Sequence, residues 1–134
     1  MEVLGLESRA LCGICGKSME RAGDYFECDL CRGFFGVGSR ATEDDGCCYI
    51  DDQGNRCETL VGRYRIVEEA TGWVSLGNIW WRACPEHRPR VSNRPIRTVK
   101  DIIKLLLETG QATFQEFEAK HVPREFIQYC LDSP

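Results

Sequence analysis

"LCGICGKSMERAGDYFECDLCRGFFG", residues 11–36, carries four cysteines, Cys12, Cys15, Cys28 and Cys31, in the pattern C-x2-C-x12-C-x2-C. Zinc prefers four soft ligands in a tetrahedron, and a C-x-x-C pair on a tight turn aims two sulfurs at one centre. Gly16 follows the first pair and lets the chain turn there. Between the pairs, "KSMERAGDYFE" reads as strand, turn and strand, with Ala22-Gly23-Asp24 as the turn and Tyr25 and Phe26 as strand formers. Such a hairpin brings both pairs to one ion. All four positions are then filled by protein, so these thiols are expected to hold the chain in shape.

The stretch "CGICGKSMERAGDYFECDLC" resembles a zinc ribbon, with its C-x-x-C-G-x-x-M opening and a second C-x-x-C after the hairpin; the resemblance spans residues 10–36, about a fifth of the chain. It implies a zinc-bound hairpin module. Such modules occur in polymerase subunits, transcription factors and enzyme appendages, so it implies no single activity. "CDLCRGFF" is also similar to the helix-opening segment of nuclear-receptor DNA-binding domains. The rest of that domain's second cysteine set is absent here, and this similarity is set aside.

A second ligand set follows. "GCCYIDDQGNRCETL" precedes "WWRACPEHRPR", and Cys48, Cys57, Cys84 and His87 are the expected ligands, with Cys47 as the alternative to Cys48. The arrangement is similar to small Cys/His zinc knuckles appended to many intracellular proteins. Strands expected at 60–68 and 73–83 return Cys84 and His87 to the first two ligands. Sequential pairing of the sets is expected, and a cross-brace as in RING and PHD modules is the alternative. The total is two zinc ions. H-E-x-x-H, Walker, G-x-S-x-G and deaminase signatures are absent from the sequence, so no catalytic residue is assigned.

Nine cysteines in 134 residues mean disulfides or metal. The start, "MEVLGLESRALCG", lacks the basic and apolar regions of a secretory signal, and no run approaches a membrane span. An intracellular, reducing compartment and metal ligation are therefore expected. The formal charge of −4 is unevenly spread, since residues 82–100 hold six bases against one acid. Seven thiolates and two zinc ions would take the total to about −7. A chain that acidic is not a general polyanion binder. Any contact with DNA or RNA would use the basic strip, with Arg82, Arg88, Arg90, Arg94 and Arg97 as candidates.

"PEHRPRVSNRPIR" reads as an extended Pro/Arg-rich connector, assigned to 88–97 between a two-zinc region, 1–87, and a helical segment, 98–134. Thr98 with Asp101, and Thr113 with Glu116, form capping boxes that open two helices. Pro123 opens a third. Ile102, Ile103, Leu106 and Leu107 form one apolar stripe, and Phe126, Ile127, Cys130 and Leu131 another. These faces pack on the zinc region or form a homodimer contact. The expected fold class is α+β: a small two-zinc β-hairpin region followed by a three-helix, helix-turn-helix-like segment. In that arrangement Arg124 and Gln128 become candidate base readers.

Two functions fit. One is a nucleic-acid-associated, transcription-type regulator on a zinc scaffold. The other is a protein-interaction adaptor or inhibitor docking on a larger complex through Phe34, Phe35, Trp80 or Trp81, one of the tryptophans facing solvent if both lie in a strand.

Overall fold

The computed structural model describes residues 9–72, 78–92 and 94–133. It is α+β, with five short strands and seven α-helices among those residues. Strand β1 (Ala10–Cys12) leads into the first C-x-x-C turn, where Gly16 takes φ +84° and donates its N–H to Cys12 O at 2.8 Å. Strands β2 (Glu20–Ala22) and β3 (Tyr25–Glu27) form the expected hairpin, closed at Gly23, with Arg21 opposite Phe26. The second C-x-x-C differs from a ribbon, because it opens helix α1 (Asp29–Phe35) instead of lying on a strand turn. Cys28 is its N-cap, and the Cys28 sulfur accepts the Cys31 N–H at 3.5 Å. A helix start has unpaired N–H groups, and a thiolate is a natural acceptor for one of them.

Strand β4 (Arg40–Ala41) adds antiparallel to β3. Strand β5 (Leu60–Gly62) pairs in parallel with β1, Ala10 opposite Leu60 and Cys12 opposite Gly62. That pairing ties the second cysteine set to the first. The strand expected over 60–68 ends at Gly62, and helix α2 (Arg65–Thr71) follows. In the expected strand over 73–83, residues 73–77 lie outside the described residues, and the remainder is helix α3 (Asn78–Arg82). A two-residue alternation cannot hold there, and Trp80 and Trp81 are both buried and stacked, with ring centroids 5.6 Å apart. The segment 88–97 is not simply extended: helix α4 (Arg88–Ser92) occupies its first half.

Helices α5 (Val99–Glu108), α6 (Phe114–Ala119) and α7 (Arg124–Asp132) follow, and both capping boxes are formed as the sequence predicts. The start of α5 docks on the first knuckle: Val99 and Lys100 N–H groups donate to Gly13 O and Ile14 O at 3.4 and 2.8 Å. The free donors of a helix N-terminus thus satisfy carbonyls of a metal-type turn. One apolar core joins Ile14 and the four cysteines of the first set to Val99, Ile102, Ile103, Phe126, Ile127 and Cys130. Among the described residues, no helix is long and apolar enough to cross a membrane.

Candidate metal centres

Two ligand sets assemble in sequential order: Cys12, Cys15, Cys28 and Cys31, then Cys47, Cys57, Cys84 and His87. Within each set one ligand atom per residue lies within 4.8 Å of all the others. Cys12 and Cys31 sulfurs are 3.6 Å apart, as are those of Cys15 and Cys28. A tetrahedron with ~2.3 Å metal–sulfur bonds has edges of about 3.8 Å. A disulfide would need about 2.05 Å. The spacing therefore fits thiolates around one ion, and every cysteine among the described residues is free of a disulfide. In the second set His87 presents Nδ1, 3.4 Å from the Cys84 sulfur and 3.7 Å from that of Cys47. Its ring stacks on Tyr49 at 4.2 Å and 13°, which fixes its orientation.

The protonation pattern explains what a cation would do. Burial opposes ionisation of Cys12, but the Cys15, Cys28 and Cys31 thiols and the Ser39 hydroxyl outweigh it and hold Cys12 well below the usual thiol range. The Ser39 hydroxyl is 2.9 Å from that sulfur. Cys15 and Cys31 are pushed far up, first by their bonds to Cys12. In the second set the Cys84 thiol and the Cys84 and Tyr49 N–H groups bring Cys47 down to about 4, with burial opposing, while Cys84 is pushed up by Cys47. Cys28 is also held below the usual thiol range, with Cys12 opposing and Cys15 and Cys31 favouring its ionisation, so the first set ionises part of its thiols and resists the rest, as the second does with Cys47 against Cys84. A dication removes that conflict, because like charges at this range in a dry site ionise together only around a positive centre.

The structure corrects one ligand. Cys47, not Cys48, points into the second set. Cys47 is fully buried, and its sulfur accepts the Cys84 N–H at 3.2 Å and the Tyr49 N–H at 3.5 Å. Adjacent side chains in extended backbone point to opposite sides. Cys48 therefore faces a polar pocket of about 260 Å³ lined by Asp44, Asp45, Arg56, Arg63 and Arg82.

Other expected site residues divide. Arg82, Arg90, Arg94 and Arg97 are exposed, and Arg90 donates to the Tyr49 hydroxyl at 3.3 Å. Arg88 is not a surface residue: it has no exposed area, and it donates to Ala83 O, Gly13 O and Arg97 O. Its guanidinium lies 4.4 and 4.8 Å from the Trp80 and Trp81 ring centroids. Burial brings its pKa down to about 10, so it stays a cation at neutral pH. Trp80 and Trp81 are thereby removed as interface anchors. Phe34 and Phe35 are half-buried and turned inward, Phe34 against Phe126 and Tyr129, Phe35 against Tyr64 and Phe126. Arg124 pairs with Glu118 at 2.9 Å, and Gln128 donates to Asp132 at 3.0 Å, so both polar heads are held by carboxylates on their own segment. Sequence reading missed Ser39 and the inward role of Arg88, because no local pattern marks a contact made across 27 or 75 residues.

Comparison with protein-family models, curated proteins and solved structures finds no match to this chain.

Proposed function

We propose that the protein is a non-enzymatic, zinc-stapled scaffold that associates with nucleic acid through Arg82, Arg90, Arg94 and Arg97. Zinc binding is supported by the two complete ligand sets. Four protein ligands complete a tetrahedron and leave no position for a water nucleophile, which favours structural over hydrolytic metal. The observation that carries the nucleic-acid reading is the exposure of these four arginines within residues 82–97 of an otherwise acidic chain. Phosphate contacts need accessible cations, and each contact releases counterions.

The test is fluorescence anisotropy of the zinc-loaded protein with random-sequence DNA and RNA across a salt series. Binding should weaken steeply with salt, and the combined Arg90→Glu, Arg94→Glu, Arg97→Glu variant should lose it. Unchanged affinity in that variant, or no binding at low salt, overturns the reading. The adaptor reading has its own support, the groove of about 650 Å³ between α5, α6 and α7, lined by Leu107, Ala112, Phe114 and Leu131 among others.

A further inference from the structure

Arg88 is a fully buried cation that touches the segments carrying both ligand sets. It directly follows His87. Its Nε donates to Ala83 O at 2.9 Å, the residue before Cys84. Its backbone N–H and that of His87 both donate to Cys84 O, at 3.0 and 2.9 Å. The Cys84–His87 turn therefore sets where the Arg88 side chain begins. At its far end, Nη1 donates at 2.7 Å to Gly13 O, inside the first C-x-x-C, and at 3.0 Å to Arg97 O, just before the α5 cap.

The fit at Gly13 is tight. A Cβ there would lie 2.7 Å from Arg88 Nη2 and 2.6 Å from Gly62 O. Gly13 also donates its N–H to Gly62 O at 2.8 Å. The guanidinium is fully buried and packs on the Trp80 and Trp81 rings, so it has little freedom to follow a displaced turn by rotating. A shift of the Cys84–His87 turn must then move Arg88 off Gly13 or carry the first knuckle with it. Charge acts in the same sense. Zinc with four thiolates carries a formal −2, and with three thiolates and neutral His87 it carries −1. A buried guanidinium beside both is stabilised when both are loaded.

We propose that Arg88 is a positioning residue that couples the two centres: zinc on the Cys47, Cys57, Cys84 and His87 set raises the affinity of the Cys12, Cys15, Cys28 and Cys31 set, and the reverse. The coupling rests on the reading that both sets hold zinc. It goes beyond that reading by making the sites mutually dependent instead of two separate staples. Linkage requires the two effects to be equal.

The experiment is chelator competition on the full chain, with zinc stoichiometry read by native mass spectrometry and each set reported by cobalt absorption spectra. His87→Ala, which removes a ligand from the second set, should weaken metal binding at the first by about fivefold or more, within the usual range of coupling. Cys12→Ser should weaken the second set by the same factor. In an Arg88→Lys background both cross-effects should shrink towards none, as should an Arg88→Gln background. Unchanged first-set affinity in His87→Ala overturns the coupling, and this comparison needs no Arg88 variant. Undiminished coupling in the Arg88 variants overturns the role of Arg88. A wild-type chain that binds fewer than two zinc ions overturns the two-zinc reading itself, a result distinct from two ions bound independently.

Discussion

Substituting each of the adjacent thiols, Cys47 and Cys48, separates a ligand from its neighbour at one peptide's distance. Cys47→Ser removes a sulfur that is fully buried and accepts two backbone N–H groups. Hydrogen bonds to a charged acceptor contribute about 1.5–3 kcal/mol each, so two of them represent roughly 3–6 kcal/mol. Loss of bound metal adds to this: with free zinc at about 100 times the dissociation constant, a site stabilises the fold by about 2.7 kcal/mol. Domains of this size hold only about 5–15 kcal/mol in total. Cys47→Ser should therefore lose one zinc and most of the fold's margin. Cys48→Ser leaves the ligand set intact and should keep both zinc ions, while its half-buried packing beside Val61, Ala83 and Cys84 makes a loss of about 1 kcal/mol the expected cost. The assay is zinc release on thiol modification, counted per chain with a colorimetric chelator, alongside thermal unfolding in matched zinc. Two zinc ions retained by Cys47→Ser, with one lost by Cys48→Ser, would refute the assignment and the alternation argument behind it.

The carboxyl of Glu68 is held above the usual range, chiefly by burial, and its Oε1 has no hydrogen-bond partner among the described residues. An acid whose folded pKa is raised subtracts stability once pH exceeds the unfolded value near 4.5, so Glu68→Gln should raise the melting temperature at pH 7 and leave it nearly unchanged at pH 3.5 to 4. The Cys130 thiol is pushed up to about 12 by burial. It should resist alkylation in the native state, and its contribution should make stability fall as pH rises from about 9 towards 12, a loss that Cys130→Val removes; chemical denaturation across that range checks it. Gly13→Ala would place its Cβ against Gly62 O and Arg88, with a cost of about 1–3 kcal/mol from overpacking, read as a lowered denaturant midpoint. Thr98→Ala removes a side-chain acceptor 3.2 Å from the Asp101 N–H and should cost about 0.5–2 kcal/mol in the same assay.

What could be read in advance was local or periodic. The spacing of Cys12, Cys15, Cys28 and Cys31 shows in sequence because a tight turn and a hairpin join ligands over short distances, as the Gly16 and Gly23 turns bear out. The capping boxes at Thr98 and Thr113 use contacts three residues apart, and the apolar stripes of α5 and α7 follow the helical repeat. Alternation over 60–68 and 73–83 was a weaker guide. Short apolar runs fit a strand or a buried helix equally well, and only packing distinguishes them. Helices α2 and α3 are the result.

Sequence by itself determined seven of the eight members of the two four-ligand sets, all but Cys47, and that a capped helical segment follows, since ligand chemistry and helix periodicity are properties of neighbouring residues. The tertiary structure alone decided that Cys47 and not Cys48 faces the second set, because which side of an extended chain faces inward depends on the parallel pairing of β1 with β5 and the bond from Cys47 N–H to Thr59 O. It alone decided that Arg88 is a buried strut and not a surface contact. A guanidinium's surroundings are set by Gly13, Trp80, Trp81 and Arg97, and only the folded chain brings those residues to one place.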